Sequence, residues 1–341
     1  MSCTGSQNKS KILDTTVKTQ YGTINGTVNE SETVAMFKGI PFAAPPVGDL
    51  RWREPQPPLA WEGVRDASKF GANPVQVNNR RLPWTDEFMI KGESSEDCLF
   101  LNVWTPAKTV SDKLPVMVWI FGGGLQEGSG SIDAYDGEEL AKKGIIVVSI
   151  NYRVGLMGFF AHPELTAESA HKSSGNYGFL DQLAALKWIN ANINEFGGDP
   201  QKVTICGQSA GSRSVHALTA SPLARGLFRG AIANSGASMD RFTSFGTLAD
   251  AEKNGLEFAK TKGASTIAQL RAMSAADLIA NSPRFGACID GYYLPEDMVS
   301  IFKNGLQNDV PTMTGMVADE GSSSEDYGKG TKAEYIEKAK K

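Results

Sequence analysis

Lys202-Val203-Thr204-Ile205-Cys206 runs directly into Gly207-Gln208-Ser209-Ala210-Gly211, and a helical stretch follows to about Ala220. The first five residues read as a short buried strand, rich in β-branched side chains. The next five match Gly-x-Ser-x-Gly. That pattern has chemical meaning only where a strand turns sharply into a helix, because the turn then lifts the serine hydroxyl to the top of a sheet. In a chain with 36 Gly the match alone is weak. Its position between a strand and a helix makes it specific. The helix N-terminus behind Ser209 also brings backbone N–H groups and partial positive charge to a developing oxyanion.

Working outward, two more apolar runs precede this turn. Leu114 to Ile120 ends in Gly122-Gly123-Gly124, and Ile145 to Ile150 is dominated by β-branched residues. Both fall far short of the roughly 20 residues of a membrane helix and read as buried strands. Residues 178 to 196 read as an amphipathic helix, with Leu180, Leu183, Ala184, Trp188 and Ile193 at helical spacing, stopped at Gly197-Gly198. Gly230–Ala233 and Thr312–Val317 are further strand candidates, and Ala333 to Lys341 reads as an interrupted helix. Strands alternating with helices predict an α/β fold with a mostly parallel central sheet flanked by helices, its chemistry at the carboxyl ends of the strands. Residues 13–109, rich in Pro, Gly and short β-like pieces, predict a small N-terminal antiparallel β and loop region. The catalytic sheet core is expected over 110–321, the start of a helical region over 322–341, and a disordered tail over 1–12.

Composition narrows the function. A hydrophobic share of 41% and a charged share of 21% belong to a globular chain. A net charge of −4 without Lys/Arg blocks gives no footprint for nucleic acid. Cys3, Cys98, Cys206 and Cys288 form no Cys-x-x-Cys pair, and His162, His171 and His216 show no metal-ligand spacing. One disulfide among the four cysteines stays open, and Cys206 reads as an inert core thiol. Met1 to Ser10 lacks the apolar stretch of a signal peptide. Cys3 on a polar tether also suits a lipoprotein without its leader, so an extracytoplasmic and a cytoplasmic location are both compatible.

Two further elements join the serine. Phe121-Gly122-Gly123-Gly124-Leu125 follows a strand, where a glycine run lets backbone donors approach a tetrahedral oxyanion; alone it would read as a flexible loop. Asp319-Glu320-Gly321 follows the last strand candidate, where an acid after the serine fits the chain order Ser, Asp/Glu, His; alone Glu320 would read as a solvated carboxylate.

With these residues in place, the chain resembles the type-B carboxylesterases, the cholinesterase-like family of α/β-hydrolase fold. The resemblance runs from about Thr15 to Gly321. It is carried by the segments Phe37 to Trp52, Ser95 to Trp104, Asn151 to Gly155, Gly175 to Gln182 and Asn190 to Gly211. Asn234-Ser235-Gly236, Ile289-Asp290-Gly291 and Asp319-Glu320-Gly321 complete it. The resemblance implies a serine hydrolase of small-molecule carboxylic esters with no metal or organic cofactor. It assigns Ser209 as nucleophile, Glu320 as triad acid, and the N–H groups of Gly123, Gly124 and Ala210 as the oxyanion hole.

Departures from the family pattern are informative. Gln208 stands where Glu is usual, Phe121 where His or Tyr is usual, and Leu125 where Phe is usual. The last two are expected to alter the pocket wall. Relatives often carry a Cys near position 75 paired to the one at Cys98; here Asn73-Pro74-Val75-Gln76 occupies that region, so Cys98 is expected to be unpaired. No histidine follows Glu320. The expectation is a chain lacking the last part of the fold, with a sheet edge open to self-association or to a complementing C-terminal fragment. His216 lies seven residues past Ser209, about 10 Å along a helix and out of reach of its hydroxyl. His162 and His171 read as surface-loop residues. The competing functions are a catalytically inactive cholinesterase-like binding domain, a truncated fragment without function, and a binder that retains the pocket without a base.

Overall fold

A computed structural model describes residues 13–77, 86–237, 245–322 and 327–340. The tail over 1–12, with Cys3, lies outside them. The centre is an eight-stranded sheet of β1 (Thr27–Val28), β2 (Ala35–Pro41), β3 (Phe100–Thr105), β4 (Leu114–Ile120), β5 (Ile146–Ile150), β6 (Gly198–Gln208), β7 (Gly230–Asn234) and β8 (Thr312–Gly315). Its order is β1-β2-β3-β5-β4-β6-β7-β8. β5, β4, β6, β7 and β8 run parallel, while β1 to β3 join antiparallel. The expected mostly parallel sheet is present. β2 and β3, from the segment read as an N-terminal β and loop region, extend that sheet. Elsewhere in that region, Thr16–Lys18, Thr23–Asn25 and Val64–Asp66 form a separate three-stranded sheet with one antiparallel and one parallel pair, and Asn73–Pro74 pairs parallel with Ser94–Ser95.

The apolar runs became strands because both sheet faces are covered. Every residue of β3 and β5 is buried. β4 alternates, with Val116, Val118 and Ile120 inward. The long central strand β6 reaches further at both ends than the sequence predicted, since pairing with β4 begins at Gly198↔Leu114, across a bulge.

The three longest helices are α1 (Tyr177–Asn192), α2 (Ala210–Ala220) and α3 (Leu248–Thr261). α1 was predicted to be amphipathic, and the structure corrects this: polar Asp181, Gln182 and Asn192 are as buried as its leucines. Each is occupied. Gln182 donates to the Ser214 hydroxyl at 3.0 Å, Asn192 accepts from the Gln20 N–H at 2.7 Å, and Asp181 pairs with Arg153. Gly197, in the left-handed region at φ 79°, ends the helical run after a short 3-10 turn over Ile193–Phe196.

Asp181 holds Arg153 from three directions. The Arg153 N–H and Nε donate to Oδ2 at 3.0 and 2.8 Å, and Nη2 donates to Oδ1 at 2.7 Å. Both side chains are out of water. Cys98, Cys206 and Cys288 are buried free thiols. Burial raises the Cys206 thiol to about 11, as an inert core thiol requires. Cys98 and Val75 line the same small cavity, so the thiol faces an apolar side chain. At the far edge, β8 pairs with β7 on one side, and Pro311 to Ser322 are exposed, Met313 and Met316 at 64% and 75%.

Breaking the buried ion pair from one side leaves a guanidinium uncompensated. Asp181→Ala is expected to cost about 3–5 kcal/mol of stability, read as a lowered urea midpoint with an unchanged denaturant slope.

Candidate active site

Ser209 sits between β6 and α2 with φ 56° and ψ −121°, a backbone conformation that L-residues adopt at a cost of about 1–3 kcal/mol. The surroundings leave it no choice. Its N–H donates to the Asn234 carbonyl at 2.9 Å, and its carbonyl accepts from the Arg213 N–H at 3.0 Å. A Cβ on Gly207 would lie 2.4 Å from Gly211, and one on Gly211 would lie 2.0 Å from the Ile120 carbonyl. These two contacts are the physical content of the Gly-x-Ser-x-Gly spacing. A third is remote in sequence: a Cβ on Gly236 would lie 2.3 Å from the Ser209 carbonyl. Ser212 Oγ donates to the Gly236 carbonyl at 2.6 Å, tying that loop to α2.

The glycine run lies beside the serine. A Cβ on Gly122 would meet the Gln208 carbonyl at 2.7 Å and Ser209 Cβ at 3.2 Å. Gly123, Gly124 and Leu125 all have positive φ, 108°, 66° and 61°. The N–H groups of Gly123, Gly124 and Ala210 donate to no backbone carbonyl among the described residues. Ala210 is the first residue of α2, where an N–H has no partner within the helix. Phe121 and Leu125, expected to shape the pocket wall, are fully buried instead and line no part of the serine cleft. They brace the loop from behind. Phe121 stacks on Tyr152 at 4.2 Å, and Tyr152 Oη donates to the Phe121 carbonyl at 2.8 Å.

Ser209, Gln208 and Gly122–Gly124 line one cleft of about 270 Å³. Gln76, Phe88, Met89, Ile90, Glu127, Gly128, Ile132 and Tyr135 complete its wall. Phe88-Met89-Ile90 and Gln76 went unrecognised in the sequence. The apolar triplet in a polar segment was the available signal; for Gln76 there was none, because Gly128, the residue it grips, lies 52 positions away. Among the described residues, no group of three or more His, Cys, Asp or Glu could hold a metal.

Glu320 stands apart from the cleft. It is exposed on the turn after β8, and its carboxylate accepts from the Val317 N–H at 3.2 Å. Its strand is nevertheless close in register. Gln208 pairs with Asn234 and Asn234 with Gly315, so the carboxyl ends of β6, β7 and β8 lie level. Ser209 and the end of β8 are therefore two strand spacings apart, about 10 Å.

None of the three histidines lines the cleft. His162, expected on the surface, is buried at 3% exposure; its Nδ1 accepts from the Glu164 N–H at 3.2 Å and caps a short helix. Tertiary burial of the Phe160–His162 segment overrode its loop-like sequence. His171 stacks flat on Tyr292 at 3.8 Å, beside Glu54. His216 is buried in α2, and its Nε2 has no partner among the described residues. Desolvation holds both His162 and His216 below the usual imidazole range.

Two outcomes follow from this geometry. Ser209→Gly should relieve the strained turn and raise stability by about 1 kcal/mol, the strain less the added chain entropy of glycine; chemical denaturation at neutral pH reads it. For His216 the sign is fixed by its depressed affinity for protons. The unfolded imidazole binds a proton below about pH 6.5 while the folded one does not, so stability is full above that pH and is lost as pH falls through the folded value. His216→Met should flatten part of that acid loss in urea midpoints measured between pH 7.5 and 5.

Comparison with known proteins shows the family and the fold. Residues 13–341 match the Carboxylesterase family. The chain is 45% identical over 321 residues to the Fumonisin B1 esterase of Sphingopyxis macrogoltabida, covering 90% of this chain and 56% of that protein. It is 40% identical over 323 residues to the Para-nitrobenzyl esterase of Bacillus subtilis (strain 168), covering 89% and 63%. A solved PNB esterase superposes with a TM-score of 0.79 at 38% identity, covering 90% of this chain and 64% of the other. The chain thus spans a little over half to nearly two thirds of the length of these relatives. Its fold is that of the α/β-hydrolases, and the chain belongs to the carboxylesterase family.

Proposed function

We propose that this chain carries the nucleophile and oxyanion site of a carboxylic-ester hydrolase. The observation that carries the reading is the strained Ser209 turn opening into a cleft beside three backbone N–H groups that have no carbonyl partner among the described residues. Such a conformation persists only where the surrounding structure over-determines it, and it clusters at sites of chemistry.

In this reading Ser209 Oγ attacks the ester carbonyl carbon as its proton passes to an imidazole. Negative charge on the former carbonyl oxygen is met by the N–H groups of Gly123, Gly124 and Ala210. The C–O bond to the alcohol then breaks, the imidazolium returns its proton to the leaving oxygen, and water releases the acid from the acyl-enzyme by the same steps. Glu320 orients the imidazole and balances its charge. The base is a histidine from outside these 341 residues, because none of the three present lines the cleft. It would enter beside β8, in the interval of about two strand spacings between Ser209 and the end of that strand. The open edge of β8 is where a complementing segment or a second copy would pair.

Esterase relatives named for Fumonisin B1 and for para-nitrobenzyl esters support a small-molecule ester as substrate. The apolar wall of Phe88, Met89, Ile90 and Ile132 favours a partly hydrophobic one. A second reading, binding of an ester without turnover, is favoured by one observation: no histidine of the chain lines the cleft.

Initial rates on p-nitrophenyl butyrate, with Ser209→Ala as control, test the hydrolase. Turnover abolished by the substitution supports it. Equal background rates, with no fluorophosphonate labelling of Ser209, would sink it, and labelling without turnover selects the second reading.

A further inference from the structure

Among the buried side chains that hold the glycine loop, Gln76 has the most extensive grip on one residue of it. Gln76 lies at 9% exposure. Its Oε1 accepts from the Gly128 N–H at 2.8 Å, and its Nε2 donates to the Gly128 carbonyl at 3.0 Å and to the Pro74 carbonyl at 2.9 Å. One carboxamide thus grips both polar groups of a single residue, as a neighbouring strand would.

Gly128 in turn bears on the donor loop. It has φ 121°, and a Cβ there would lie 2.4 Å from the Phe121 ring and 2.9 Å from the Gly122 carbonyl. A Cβ on Gly123 would lie 2.1 Å from the Glu127 carbonyl. The segment from Phe121 to Gly128 is therefore folded onto itself with no slack between its two limbs. Beyond Gly128 the anchoring continues: Asn151 Oδ1 accepts from the Gly130 N–H at 2.8 Å, and Asn151 Nδ2 donates to the Ala72 carbonyl at 3.1 Å.

We propose that Gln76 is a positioning residue that clamps Gly128 and so sets where the Gly123 and Gly124 N–H groups point. This rests on the oxyanion role proposed above for those groups. The loop's own backbone bonds are one turn, with the Gln126 and Glu127 N–H groups donating to the Gly123 carbonyl at 3.0 and 3.3 Å; that turn fixes its own shape and leaves its direction to contacts outside it. Displacements of about 1 Å at such donors cost on the order of a hundredfold in rate.

The test compares the wild-type chain with Gln76→Met, which keeps the volume and removes the clamp, and Gln76→Glu, which keeps the acceptor and loses the donor. Two readouts are used: the fluorophosphonate labelling rate of Ser209, and amide hydrogen exchange over residues 121–131 with α1 as internal reference. The expected result is at least about tenfold slower labelling in Gln76→Met, with faster exchange confined to the loop. In Gln76→Glu the rate relative to wild type should recover as pH falls, because the protonated carboxyl can again donate to the Gly128 carbonyl. A merely structural role would not produce that recovery. Unchanged exchange, or unchanged labelling despite faster exchange, overturns the proposal. Should the wild type fail to label, the hydrolase reading falls, and exchange alone decides whether the clamp exists. Where Gln76→Met fails to fold, Gln76→Glu at low pH carries the same test.

Discussion

Close contact between backbones at the end of β6 is the constraint on which the site depends. Gly207, Gly211 and Gly236 lie where any side chain would strike main chain at 2.0 to 2.4 Å. Between them Ser209 is driven into a positive φ. Relaxing that residue would require moving Ile120 at the end of β4, Gly211 in α2, or the loop after β7. Each is anchored in the sheet or packed against it. The strain at Ser209 is thus borne by the central sheet.

The second limb of the site is built by the opposite means. The glycine loop after β4 has little regular structure and is held from outside by buried polar groups. Tyr152 takes the Phe121 carbonyl, Gln76 takes both polar atoms of Gly128, and Asn151 takes the N–H of Gly130. Buried polar groups of this kind specify one arrangement when all are satisfied. A backbone with several positive-φ residues would otherwise sample many. Steric exclusion sets the serine, and hydrogen bonding sets the loop.

Burial also decides what the histidines can do. An imidazole serves as a base near neutral pH only if it can be protonated and can reach the nucleophile. His216 and His162 are desolvated and held neutral, and His162 is spent on a helix cap. His171 lies against Tyr292 on a different part of the surface. The cleft therefore holds Ser209 and the glycine loop without an imidazole, and Glu320 follows a strand two positions away in the sheet.

Much of this was legible in the residues. β-branched runs located β4, β5 and β6, because buried parallel strands need continuous apolar sequence, and glycines marked the exits of β4 and β6. Gly207-Gln208-Ser209-Ala210-Gly211 and Gly122-Gly123-Gly124 carried the site, since local backbone geometry demands those residue types wherever they occur. What the sequence could not carry were contacts between distant segments. The burial of Asp181, Gln182 and Asn192 in α1, the withdrawal of Phe121 and Leu125 from the cleft, the burial of His162 and the grip of Gln76 on Gly128 all depend on neighbours brought in by folding. Spacing along the chain reports which conformation a segment prefers. Only the packed sheet and its loops decide which side chain faces solvent, which fills the core, and which spends its polar atoms on a partner 50 or more residues away.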